Sequence, residues 1–86
     1  MRGRILRELG LGFVMATDHG EQSFAPAKVG ASGEVEADGS MKDLVADFIG
    51  DLAFCSPSPS GLYRCVALHG GKEVVIPEVA TGGAAL

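Results

Sequence analysis

Side chains able to do chemistry are few in this chain. Two histidines, His19 and His69, and two cysteines, Cys55 and Cys65, are its only imidazole and thiol groups. A structural zinc site takes four such ligands and a catalytic one three around an open position. His19 falls in Asp18-His19-Gly20, a turn by composition, and His69 stands just before Gly70-Gly71. Neither has a second ligand at metal spacing, so both read as surface histidines. The cysteines are too widely spaced for a paired-thiol motif and too few for a disulfide scaffold. With residues 56 and 61 paired across the intervening turn, Cys55 faces Leu62, which leaves two buried thiols. No serine sits in a nucleophile elbow, and Gly10-x-Gly12 is not followed by Lys-Ser or Lys-Thr, so no phosphate loop is present. These residues suggest no enzyme, no metal and no cofactor.

Aromatic rings and cations remain. The stretch GLGFVMATDHGEQSF, residues 10–24, carries Phe13 and Phe24 on either side of its turn, behind a strand bearing Arg2, Arg4 and Arg7. Single-stranded nucleic acid is held by flat rings under the bases and cations on the phosphates, at about 1–3 kcal/mol per stacked base. Phe13, Phe24 and a stacking guanidinium at Arg7 would supply roughly 3–6 kcal/mol, a millimolar to tens-of-micromolar affinity. Tyr63 and Arg64 on a later strand, and Lys28 after the hairpin, extend this candidate site. Acidity limits it: the net charge is −4, and Glu34, Glu36, Asp38, Asp43, Asp47 and Asp51 crowd residues 31–54 against Lys42 alone. An anionic partner must therefore meet the N-terminal strand. The competing reading is that both rings are core, in a chain with four phenylalanines and no tryptophan. On that reading the arginines merely solvate a strand edge and deter aggregation.

Eighty-six residues form one domain with a thin stability margin. Thirteen glycines and four prolines favour turns, and so short strands. Residues 2–9 alternate as a strand, Phe13 to Thr17 is a second, and Glu21 to Ala25 a third, ending near Pro26. Residues 30–40 form a polar connection in which Glu34 to Ala37 offers a brief edge strand. Around a helix from Ser40 to Gly50 the stripe Met41, Leu44, Val45, Phe48, Ile49 and Leu52 recurs at helical period, with Ser40 as N-cap and Gly50 past the end. A helix this short must pack on something, and one end of a barrel is the expected place. Asp51 to Cys55 and Leu62 to Leu68 are the fourth and fifth strands, around a Pro-Ser turn. Val74-Val75-Ile76 adds a short run before a frayed tail. Five strands with a helix between the third and fourth is the order of an OB-fold, and an SH3-like barrel or a small open sheet can be built from much the same pattern. The expected class is all-β with one short helix, a small five-stranded OB-fold-like barrel over 1–70 and a C-terminal extension over 71–86.

The chain also resembles the cold-shock domain, a small OB-fold that binds single-stranded nucleic acid. Gly3-Arg4-Ile5 is similar to that family's opening Gly-x-Val-basic strand. Leu9-Gly10-Leu11-Gly12-Phe13-Val14 is similar to its Lys-Gly-Phe-Gly-Phe-Ile. Ser23-Phe24-Ala25-Pro26-Ala27 keeps one aromatic of its Val-Phe-Val-His-Phe strand, and Gly50-Asp51-Leu52-Ala53 stands where the family has Gly-Asp-x-Val. Leu9 replaces the motif lysine, Leu11 the first aromatic, and Pro26 the histidine. The resemblance, over residues 2–68, implies weak binding of single-stranded RNA or DNA, with Arg4 and Arg7 on phosphate and Phe13 and Phe24 under bases.

A second function class suits the same barrel. It is a non-catalytic protein-interaction module, such as an accessory subunit or small regulator, meeting its partner through the helix or through Lys72 to Val79 as an added strand. With no run long enough to span a membrane and no secretory pattern at Met1 to Arg7, the expected location is the reducing cytoplasm.

Overall fold

Alternation of inward apolar and outward side chains, cut by glycine-bearing turns, builds six strands and one helix among the described residues. The computed structural model describes residues 1–27 and 41–81. In chain order these give β1 (Arg2–Leu9), β2 (Gly12–Thr17), β3 (Gly20–Pro26), α1 (Met41–Ala46), β4 (Leu52–Pro57), β5 (Tyr63–His69) and β6 (Lys72–Thr81). Neighbouring strands run antiparallel in the cyclic order β1-β2-β3-β6-β5-β4, and β4 returns to β1 to close the barrel. The all-β class with one short helix holds. The strand count is corrected from five to six.

The sixth strand lies in the segment expected as a C-terminal extension. β6 pairs with β3 through Phe24↔Thr81 and with β5 through Val66↔Val75, so it is a wall of the barrel. The division at residues 70 and 71 falls inside the β5–β6 hairpin. On its β3 side the ladder covers Val79 to Thr81, with the Ala27 amide donating to the Glu78 carbonyl at 3.0 Å, so among the described residues Lys72 to Ile76 is laddered on its β5 side alone. The β5–β6 register shifts between Tyr63 and Cys65, opposite Pro77. Such an irregularity accommodates a proline that would otherwise end the strand. The expected edge strand at Glu34 to Ala37, the Ser40 cap, Lys28 and residues 82–86 lie outside the described residues.

The barrel is two three-stranded meanders joined through α1. Thr17↔Gly20 closes the β2–β3 hairpin as His69↔Lys72 closes β5–β6, and Phe13↔Phe24 stands as far from its turn as Cys65↔Ile76 does. β1 joins β4 and β3 joins β6, so the strand order is unchanged when the halves are exchanged. Gly10, read from the sequence as an interruption, is the first of two loop residues in the β1–β2 hairpin, with φ 58°. Glycine at that position fits a two-residue turn whose twist matches the strands.

Inside, Ile5, Phe13, Met15, Phe24, Ala53, Cys55, Cys65, Ala67, Ile76 and Val79 form one buried cluster with Val45 and Phe48. Those last two come from α1 and the turn after it, so the helix plugs the barrel as expected. It is shorter than its apolar stripe suggested. After Ala46 the chain turns, with the Phe48 amide donating to the Val45 carbonyl at 2.8 Å and the Gly50 amide to the Ile5 carbonyl at 2.7 Å. With Val45 and Phe48 committed to the core, that side of the helix is spent.

The cysteines are also corrected. The β4–β5 ladder starts at Pro57↔Tyr63, because the turn is closed by the Ser58 amide on the Leu62 carbonyl at 2.8 Å. This longer loop puts Cys55 directly opposite Cys65, with Cα atoms 4.0 Å apart, joined as a disulfide. Both residues are fully buried. They are not free thiols, so the thiol argument for a reducing compartment falls. Among the described residues no helix is long and apolar enough to cross a membrane.

Candidate docking face

The rings expected to lie under nucleobases are inside the barrel. Phe13 and Phe24 are 0% exposed and stack on one another at 5.1 Å with 16° between their planes. Cross-strand pairing at Phe13↔Phe24 puts both on the same side of the sheet, and closure of the barrel makes that side the interior. Tyr63 is half-buried and meets Phe24 edge-on at 6.2 Å. Neither phenylalanine therefore offers a face to a base, which corrects that part of the expected site.

The expected cations are elsewhere. Arg4 and Arg7 are both exposed, although strict alternation would put them on opposite faces. A bulge between Ile5 and Arg7 resets the pattern, keeping Ile5 inside and Arg7 out. Arg7 Nη2 reaches Glu21 Oε1 at 3.4 Å, a pair of exposed side chains that contributes little. Arg64 is exposed opposite Ser56 on β4. The structure thus gathers Phe13 and Phe24 in the interior, sets half-buried Tyr63 against them, and leaves Arg4, Arg7 and Arg64 on the outside of the wall.

His69 is exposed, as expected of a surface histidine, and it has partners. Its Nδ1 lies 2.7 Å from Asp51 Oδ2, and its ring meets Phe48 edge-on at 5.1 Å, tying the end of β5 to the turn after α1. Among the described residues no three His, Cys, Asp or Glu side chains are placed to hold a metal.

The notable surface lies on the other half of the barrel. Antiparallel register sets Arg2, Phe54, Val66 and Val75 in one outward row across β1, β4, β5 and β6. One step along the strands, Arg4 pairs with Leu52 and Leu68 with Glu73, and Ala53↔Ala67 brings Leu52 beside Leu68. Phe54 is 51% exposed, Val75 57%, and Leu52 and Leu68 42% each. A depression of about 350 Å³ opens among Leu52, Phe54, Val66 and Leu68, with Arg2 and Glu73 also lining it. The inward residues of the same strands, Ala53, Cys55, Ala67 and Ile76, are core. A sheet with one wet face alternates apolar with polar, whereas strands apolar on both faces are characteristic of sheets covered on both sides. The runs Leu52-Ala53-Phe54-Cys55 and Cys65-Val66-Ala67-Leu68 carry that two-sided pattern in the sequence. It was missed because both runs were read only for strand propensity.

No protein-family profile, curated protein or solved structure matches this chain.

Proposed function

We propose that the chain is a non-catalytic protein-interaction module that docks through the outer wall formed by β4, β5 and β6. The carrying observation is the contiguous apolar outer face made by Leu52, Phe54, Val66, Leu68 and Val75, on strands whose inner face is already core. An exposed apolar patch rimmed by polar groups is a candidate interaction site. Here Arg2 and Arg4 stand on one side and Glu73 on the other. A nucleic-acid surface of the cold-shock kind asks for several exposed rings beside cations. Phe54, beside Arg2, is the one phenylalanine on this face, with Leu52 and Val66 as aliphatic neighbours and Ser56 and Arg64 in the next outward row.

The test is site-specific photocrosslinking in the native host, with benzoylphenylalanine placed at position 54, at position 75, or in the Asp18 turn as control. The proposal expects polypeptide adducts from positions 54 and 75 in excess of the control. Adducts to nucleic acid alone, or no excess over the control, would overturn it.

A further inference from the structure

We infer that the partner on this face is a second copy of the chain, the two walls packing about a two-fold axis that runs along the strands. This rests on the docking reading above. A two-fold interface must be complementary to itself, and the arrangement of side chains meets that condition in one orientation only. Across the wall, β1 carries Arg2 and Arg4, β4 and β5 carry the aliphatic and aromatic groups, and β6 carries Glu73 and Val75. An axis parallel to the strands, lying between β4 and β5 in the plane of contact, exchanges β1 with β6 and β4 with β5. Arg4 then faces the second copy's Glu73, Phe54 faces its Val66, and Leu52 faces its Leu68. An axis across the strands would lay β1 on β1 and set Arg2 against Arg4, a like-charge contact that opposes association. Charge therefore selects the axis along the strands; both axes keep the strands of the two walls aligned, the common way for two sheets to meet face to face, about 10 Å apart and within about 30°.

Four strands at about 4.8 Å spacing and the two rows of side chains cover an area of roughly 20 by 15 Å. That lies below the standard of about 800 Å² per partner, so the dimer is weak and dissociates on dilution.

Sedimentation equilibrium of the full chain, from about 5 μM to about 500 μM, reads the association, with circular dichroism confirming that each variant folds. The wild type is expected to pass from monomer to dimer across that range. Glu73→Arg, and separately Arg2→Glu with Arg4→Glu, are each expected to weaken self-association at least tenfold. Mixing the two variants in equal amounts is expected to restore a dimer, because each then supplies the charge the other lacks. Both variants keep a net negative charge, so bulk attraction between them does not mimic this. Phe54→Asp in either member is expected to abolish the mixed dimer. A wild type that is monomeric throughout, or a dimer indifferent to Phe54→Asp and to the charge exchange, would overturn self-pairing. Photocrosslinking from position 54 separates the two claims. An adduct with a different protein refutes the second copy and leaves the docking face standing, whereas no adduct refutes both.

Discussion

Joining Cys55 to Cys65 closes a short loop, and the effect of that bond on stability can be worked out from its sequence separation of 10. Tying two residues together removes conformations from the unfolded chain. For a loop of this length the chain-entropy relation gives about 2.7 kcal/mol at 25 °C. In a domain of this size each kcal/mol moves the melting temperature by roughly 4–8 °C, so reduction is expected to lower it by roughly 10–20 °C. The cleanest comparison is the same polypeptide oxidised and reduced, because both sulfurs stay in place and no cavity is made. Thermal unfolding followed by circular dichroism, with and without a thiol reductant, gives the difference directly. A second observable follows from burial. Both cysteines are fully covered, so a reductant reaches the sulfurs only when the barrel opens, and reduction is expected to be much slower in buffer than in denaturant. Two alkylatable thiols in protein purified without reductant and then unfolded would refute the pairing. Equal melting temperatures for the two forms would refute the stabilisation.

Two further perturbations separate the inside of the wall from its outside. Phe13→Ala removes a fully buried ring stacked on Phe24 and is expected to cost about 3–5 kcal/mol, a large share of the roughly 4–13 kcal/mol available to a domain of this length. Phe54→Ala is expected to cost less than about 1 kcal/mol; chemical denaturation of both variants checks the contrast, and the reverse order would contradict it. Gly3→Ala puts a Cβ into the Ala16 carbonyl and within 3.0 Å of Met15 Cγ, between paired strands. It is expected to destabilise by about 1–3 kcal/mol, read as a lowered denaturation midpoint, and an unchanged midpoint would mean that β1 and β2 lie further apart than described.

Local elements were legible where local chemistry decides them. β1, β2 and β3 fall close to their expected bounds because Gly10 and Asp18-His19-Gly20 favour turns whatever lies around them. The stripe Leu44, Val45, Phe48 located α1 between β3 and β4, although tertiary contacts cut the helix short at Ala46. What a two-residue period cannot tell is which side of a strand faces inward. On β2, Phe13 and Met15 alternate with Val14 and Ala16, all of them apolar, and the choice is made only when β6 closes the barrel. The bulge after Ile5 was illegible for the same reason. It answers to the register against β2, and nothing in Leu6-Arg7-Glu8 marks it. The disulfide turned on a loop: pairing Pro57 with Tyr63, instead of residue 56 with residue 61, shifts Cys55 from facing Leu62 to facing Cys65. The docking face stayed hidden because Leu52 to Cys55 and Cys65 to Leu68 were read only for strand propensity, although both faces of each run are apolar.

The account stands on one division of side chains, with Phe13 and Phe24 inside the barrel and Phe54 and Val75 outside. Solvent paramagnetic relaxation enhancement, measured by NMR with a soluble gadolinium probe on dilute protein, reads it residue by residue. Strong attenuation is expected at the Phe54 ring and the Val75 methyls, together with protection of Phe13 and Phe24. Attenuated signals from Phe13 and Phe24, with Phe54 protected, would contradict the account and return the nucleobase-stacking surface to consideration.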